Sequence, residues 1–365
     1  MTERKKLTIG MATFDDYDGI FFSIKAIQLY HPEILKDIEF LILDNNPAGK
    51  HGEAVRRFLR EEVRENYKYV PMREVATSFT KYKVFEIANT PYVLCMDCHV
   101  LFEKGSLKKL LNYYEKNPKT NDLLQGPLIH NKTYFTHWSD EWFNKQCGTW
   151  AKDKRGENPN SKPFEIIAQG MGMLSCRKEA FPKINPLFKG FGGEEKYIQE
   201  KFRRKGGKTL CLPFLRWHHR FDDKKPNKIT YPIQTRFRLR NNLITHLELG
   251  WDLGPLYDNF FLDVKDFNQI YINTVKELRA IGRKDIKVEP KYIQIGKNMA
   301  RLNKNENYNQ NIHGKGKHIK NKSRYMEYTI NTIWKISAIL KKNSRTYRKF
   351  VKLIKNDNSQ TKNRK

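Results

Sequence analysis

Tyr92-Val93-Leu94-Cys95-Met96, followed at once by Asp97-Cys98-His99, sets a short apolar run against a polar end. The run reads as a strand. Working outward from it, the chain alternates between two kinds of signal. Leu7 to Ala12 reads as a buried strand, and Ile20 to Tyr30 as a helix with Phe21, Ile24, Ile27 and Leu29 at mostly helical spacing. Glu39 to Leu43 is a second strand, ending in the turn cluster Asp44-Asn45-Asn46-Pro47. A charged helix over Glu53 to Glu65, a strand near Tyr67 to Val70 and a helix over Lys81 to Ala88 complete the series. Such βαβα alternation predicts an α/β fold, with a mostly parallel central sheet and helices on both faces. Ligands on sheets of this kind bind beyond the carboxyl ends of the strands, where Asp44 and Asp97 fall.

Past the strand the pattern loosens. Trp138 to Pro163 carries Trp138, Trp142 and Trp150 among Gly, Asn, Lys and Asp and reads as a long loop. Its tryptophans suit either platforms for sugar rings or bases, or plugs that seat the loop on the core. Regular structure resumes over Phe164 to Ser175. A helix from about Glu194 to Lys205 is closed by Gly206-Gly207, and Leu210 to Leu215 is a further strand. Thr235 to Leu249 and Val264 to Ile281 read as appended helices, together a C-terminal helical extension. The predicted organisation is a catalytic domain over 1–245, appended helices over 246–302, a polar linker over 303–324, and a basic amphipathic helix and tail over 325–365.

The chain has 365 residues, 39% of them hydrophobic, enough for a substantial core. Its formal charge of +29 suits a polyanionic partner, nucleic acid or an anionic membrane, or else serves solubility. From Arg301 to Lys365 there are 18 basic residues against 3 acidic, so much of the charge belongs to the tail. Five cysteines without framework spacing point to a reducing compartment rather than a disulfide scaffold. On a strand Cys95 and Cys98 would face opposite ways and share no metal. The first apolar stretch soon meets Asp15 and Asp16, too early for a signal peptide. Lys335 interrupts Ile330 to Leu340, so no membrane-spanning run is expected. The expected location is cytoplasmic, with peripheral membrane or DNA association as further possibilities.

Three features carry candidate chemistry. Strand alternation would aim Asp97 and His99 at one side and turn Cys98 away, giving a carboxylate and an imidazole suited to a divalent ion with open positions for diphosphate oxygens. Alone, an Asp-x-His is also an ordinary solvated strand end. Phe191-Gly192-Gly193-Glu194-Glu195 opens a helix, where glycines permit close approach and the helix dipole favours ionised acids. Those acids could take a proton from an acceptor hydroxyl or simply satisfy the helix terminus. Arg216-Trp217-His218-His219-Arg220 follows a strand and offers a further imidazole.

In this order and spacing the run from Phe191 through Gly206-Gly207 to His219, together with Asp97-Cys98-His99, resembles the GT-A glycosyltransferases, including family 2 and the polypeptide N-acetylgalactosaminyltransferases. The resemblance covers residues 7 to 221. It implies a Rossmann-like GT-A fold, a UDP-sugar donor and Mn2+ or Mg2+ held by Asp97, His99 and His219. It implies Ala12, Thr13, Asp44, Lys81 and Asp97 around the nucleotide-sugar, with Asp44 at the uracil ring. Gly172, within Gly170-Met171-Gly172-Met173-Leu174-Ser175, falls on the acceptor side with Gly192, Gly193 and Trp217. Phe191 departs from the family's Trp. Retaining relatives carry Asn after Gly-Gly-Glu, whereas this chain carries Glu195, which implies inversion with Glu195 as base and Glu194 as an acceptor or orienting contact.

Leu210 to Trp217 also resembles phage and bacterial family 2 enzymes, some related to the glucosyltransferase that modifies hydroxymethyluracil in DNA. The acceptor is therefore a glycan, a protein or modified DNA, and the tail would contact nucleic acid or an anionic membrane. An inactive transferase-like binding protein would have lost metal or base residues, yet Asp97, His99, Glu195 and His219 remain. A nucleotidylyltransferase would show a basic Gly-rich phosphate loop, whereas Thr13-Phe14-Asp15-Asp16-Tyr17-Asp18 is acidic.

Overall fold

The structure, a computed structural model, describes residues 4–72, 77–130, 132–143, 145–220 and 233–312, with side chains left out at 77–78 and 302–312. Two units divide the chain, Met1–Val288 and Glu289–Lys365. The first begins β1 (Leu7–Thr13), α1 (Tyr17–Tyr30), β2 (Ile38–Asp44), α2 (Gly52–Phe58), β3 (Tyr67–Pro71), α3 (Thr77–Ile87) and β4 (Tyr92–Asp97). It continues β5 (Val100–Phe102), α4 (Ser106–Lys116), β6 (Leu123–Gln125), β7 (Leu128–His130) and β8 (Thr133–Phe135). Then come β9 (Phe164–Glu165), β10 (Met173–Arg177), α5 (Glu195–Arg204), β11 (Thr209–Cys211), β12 (Trp217–His219), α6 (Thr235–Leu249), α7 (Gly254–Phe260) and α8 (Phe267–Ala280).

Eight strands form one sheet in the order β9-β11-β6-β10-β4-β1-β2-β3. Its β4-β1-β2-β3 half is wholly parallel, while β10 runs antiparallel between β4 and β6. Within β1 the pleat gives Leu7, Ile9 and Met11 to a core shared with Ile20, Ile24 and Ile27 of α1 and Leu107, Leu110 and Leu111 of α4. Gly10 faces the other way, where the Val84 methyls of α3 press so close that no Cβ would fit. Helices therefore cover both faces, as the alternation predicted. Parallel register aligns the strand ends, with Ala12 opposite both Leu43 and Asp97 and Thr13 opposite Asp44.

A second, four-stranded sheet has the order β5-β12-β7-β8. β12 lies antiparallel to β5 with His219 opposite Val100, and parallel to β7.

Several sequence-based boundaries shift. The segment after Trp138 is no open loop: residues pair in two-residue ladders, Trp138 with Trp150 and Trp142 with Cys147. Trp138 and Trp150 meet edge to face, and Trp142 packs on Phe260, so here the tryptophans act as plugs. Helix α6 is continuous through the expected boundary at 245, and it ends at Gly250 in the left-handed conformation. In the second unit a helix, α9, spans Pro290–Ile312 and includes residues 303–312, where a linker was expected. The remainder of that linker and the 325–365 tail lie outside the described residues. All five cysteines are free. Among the described residues, no helix is long and apolar enough to cross a membrane.

Candidate active site

Asp97 is the last residue of β4, and its backbone N–H donates to the Gly172 carbonyl at 2.8 Å. The strand stops there. Cys98-His99 form a turn into β5, so the turn, not strand alternation, brings His99 beside Asp97. Cys98 is accordingly not turned away: its thiol lies 3.4 Å from an Asp16 carboxylate oxygen. β5 belongs to the second sheet, and its pairing with β12 delivers His219; the Arg220 N–H then donates to the His99 carbonyl at 3.1 Å.

The result is a cluster of three. Asp97, His99 and His219 each offer a ligand atom within 4.8 Å of the others. His99 Nε2 and His219 Nε2 are 3.1 Å apart, and His219 Nε2 is 3.4 Å from Asp97 Oδ2. Adjacent ligands about 2.1 Å from one octahedral ion are separated by about 3 Å, so the spacing fits a shared divalent cation. Two imidazoles and one carboxylate would leave further coordination positions open. Burial opposes the charge on Asp97, but Lys81 Nζ at 2.5 Å and the two imidazoles outweigh it and hold the carboxyl well below the usual range. Lys81 also donates to the Met171 carbonyl at 3.0 Å, which ties α3 to the strand end.

On the β1–β2 side, Asp44 closes its strand beside Thr13 and is buried. Its carboxylate accepts from the Asn46 N–H at 2.9 Å and from the Tyr69 hydroxyl at 2.7 Å. Burial and this carboxylate together push the Tyr69 phenol up to about 12. Tyr69 had no sequence signal beyond its place in a strand. Asp16 belongs to the acidic stretch after β1, and its Oδ2 lies 2.7 Å from His99 Nδ1.

On the other side, Gly192 and Gly193 have φ of 89° and 92°, left-handed values that favour glycine. Helix α6, expected as an appendage, fastens this loop. Asn241 Nδ2 donates to the carbonyls of Lys189 and Gly192, and Thr245 Oγ1 donates to that of Gly193 at 2.8 Å. Glu195 is the first residue of α5 and its Oε2 accepts from the Gly193 N–H at 3.2 Å. It lines a cavity with Phe191, Arg238, His246 and Trp251. Glu194 turns inward instead and is 3% exposed. Tyr82, next to Lys81, is buried within reach of the Glu194 and Glu195 charges and of Cys95; burial first, then those acids, drives its phenol far up. Trp217 corrects an expectation: it is 1% exposed and donates from Nε1 to the Gly126 carbonyl, a core residue rather than an acceptor contact. Its ring lies against Gly172, which has room for no side chain between Trp217 and Asp97.

Residues 8–184 match the family described as glycosyl transferase family 2. The chain carries a family 2 glycosyltransferase domain. Of the solved structures, GalNAc-T7 with UDP, GalNAc and Mn2+ is similar to it with a TM-score of 0.55 and 13% identity, over 74% of this chain and 54% of that one. The chain thus spans about half the length of that relative, and the likeness is one of GT-A fold. The mannosyltransferase PcManGT from Pyrobaculum calidifontis with GDP-Man and Mn2+ gives 0.46 and 12% identity, over 82% of this chain and 81% of that one. TarS from S. aureus with UDP-GlcNAc gives 0.45 and 12% identity, over 74% and 80%. No curated protein matches the sequence. The family 2 match ends before Glu195 and His219, and of these two the geometry joins His219 to Asp97 and His99.

Proposed function

We propose that the protein is a metal-dependent glycosyltransferase that moves a hexose or N-acetylhexosamine from a UDP-sugar to an acceptor hydroxyl with inversion. The observation that carries this reading is the gathering of Asp97, His99 and His219 at the carboxyl edge of the sheet. GalNAc-T7, of the same fold, was crystallised with UDP and Mn2+, which supports a nucleotide-sugar donor and a divalent ion here. Bound to the three side chains, the cation would supply Lewis-acid stabilisation of the departing diphosphate. Lys81, beside Asp97, adds positive charge at the same edge. Thr13 and Asp44 line the aligned strand ends on which the nucleoside would rest.

Inversion requires one in-line displacement, with a base on the acceptor oxygen opposite the leaving group. Glu195 suits that role because it faces a cavity, while Glu194 is enclosed. The Gly193 N–H fixes one carboxylate oxygen and leaves the other for an acceptor hydroxyl. Gly192 and Gly193 shape the approach, and Arg238, lying over the Phe191 ring at 5.5 Å, forms its far wall. The test is a donor screen with Mn2+ that reads released nucleoside diphosphate, run with and without hydroxymethylated DNA as acceptor. Turnover of a UDP-sugar that is abolished by chelator supports the proposal. Turnover that persists undiminished in excess chelator overturns its metal dependence.

A further inference from the structure

We propose that Asp16 is a positioning residue that fixes the tautomer of His99, so that Nε2 is presented to the cation site. This deepens the metal-dependent reading above and rests on it for its functional consequence. Asp16 stands immediately before α1, and its carboxylate contacts other than the one with His99 are with donors. Its Oδ1 accepts from the Gly19 N–H at 3.0 Å, and Arg220 Nη2 donates to both oxygens at 2.8 Å. The Cys98 thiol approaches Oδ2 at 3.4 Å, and His99 Nδ1 meets the same oxygen at 2.7 Å.

A carboxylate held by a guanidinium and a backbone N–H can only accept, so the proton of the His99 contact belongs to Nδ1. The lone pair of the neutral ring is then left on Nε2, the atom 3.1 Å from His219 Nε2. Carboxylate, imidazole and metal in series is how an outer partner sets ring orientation and basicity. The chain builds the series across four elements. The α1 terminus supplies Asp16, the β4–β5 turn His99, β12 His219, and the residue after β12 the arginine that braces Asp16. Asp16 also caps α1, and a cap alone would explain its bond to Gly19. That bond involves Oδ1; the contact with His99 uses Oδ2.

The two roles separate experimentally, because Asn and Ser cap helices about as well as Asp. In Asp16→Asn the amide carbonyl can cap α1 while its N–H group faces His99, making Nδ1 an acceptor and moving the proton to Nε2, as in a known carboxylate–histidine pair. Asp16→Ser keeps a cap but is too short to hold the ring. Two measurements on the full-length protein decide the matter. Two-bond 1H–15N correlation of the metal-free, 15N-histidine-labelled protein reads the His99 tautomer, with His99→Gln identifying the signal. Mn2+ titration of the same proteins reads affinity. The expected result is Nδ1–H in the wild type, Nε2–H in Asp16→Asn, and Mn2+ affinity lower by about 10–100-fold in both Asp16 variants. Their Tm should stay within about 2 °C of wild type. Unchanged tautomer and unchanged affinity in Asp16→Asn would overturn the proposal and leave Asp16 a helix cap. A wild type that binds no Mn2+ while Asp16→Asn still switches the tautomer would sink the metal reading and leave the hold of Asp16 on His99 standing.

Discussion

The Nε2 atoms of His99 and His219 lie 3.1 Å apart although 120 residues separate them in the chain. They meet because the main sheet hands its β4 end to the second sheet through a two-residue turn, and β12 pairs there with β5. Bringing two imidazoles and a carboxylate together serves packing poorly and ion binding well. His219→Ala should therefore lower Mn2+ affinity by at least about tenfold, since even outer partners of metal ligands are worth that much. Removing it leaves the Lys81–Asp97 pair intact, so the far-ultraviolet spectrum should not change. Electron paramagnetic resonance of free Mn2+ checks the affinity, and an unaltered titration would remove His219 from the site.

The same donor set bears on metal choice. Mg2+ demands near-ideal octahedral oxygen coordination and gives up water reluctantly, whereas imidazole nitrogen suits first-row transition ions. Mn2+ should bind more tightly than Mg2+ by about tenfold or more. Competition titration reads this directly, and equal affinities would point to a site built from oxygens rather than from His99 and His219.

Most of the α/β framework was legible from Leu7 to Met96, because apolar runs, turn clusters and helical spacing there all agree. Helix α4 lies outside that reading although Leu107, Leu110, Leu111 and Tyr114 stand at helical spacing and are buried. The triad was readable as residue types through a resemblance, but not its cause, since the pairing of β5 with β12 is a long-range event that leaves no local trace. Trp217 was misplaced for a related reason. An aromatic beside His218 and His219 looks like a ligand contact until the register of β12 turns it inward. Asn241 and Thr245 interrupt the apolar pattern of α6, and only the Gly192-Gly193 loop they hold explains why these polar side chains are buried.

Glu195→Gln keeps shape and retains an oxygen for the Gly193 N–H, while removing the proton acceptor. Transfer should fall by about 10²–10⁴-fold with donor affinity unchanged. Glu194→Gln, at an enclosed position, should act on Tm more than on rate. Single-turnover transfer and donor titration separate these outcomes; an unchanged transfer rate in Glu195→Gln takes that residue out of the mechanism.

Gly172 has no space to grow. A Cβ there would stand 2.8 Å from one Trp217 ring carbon, 3.1 Å from another and 3.3 Å from Asp97 Oδ2. Trp217 is buried and anchored on the Gly126 carbonyl at 2.8 Å, so it yields little. Gly172→Ala should cost about 1–3 kcal/mol of stability through overpacking and weaken Mn2+ binding by displacing Asp97. Chemical denaturation with and without Mn2+ checks both effects, and a variant as stable and as metal-avid as wild type would show that the contact relaxes freely.

His246 gives a pH signature of its own. It is buried on α6, and its Nδ1 lies 2.6 Å from the Asp252 carbonyl, to which it donates. Burial pushes the imidazole down from 6.5 to about 4, against the opposing pull of that carbonyl. Between those values the unfolded chain binds a proton that the folded protein refuses. Stability from the neutral ring is thus fully present above pH 6.5 and is lost as the pH falls towards 4, at up to about 1.4 kcal/mol per unit. His246→Asn retains an N–H for the Asp252 carbonyl but cannot titrate. Wild type should be the more stable at neutral pH, because the ring fills its site, and its advantage should shrink by about 2 kcal/mol or more between pH 6.5 and 4.5. Carboxylates elsewhere titrate alike in both proteins and cancel in the difference. Denaturation curves at the two pH values measure it, and parallel losses in the two proteins would mean that His246 takes up its proton without leaving the folded state.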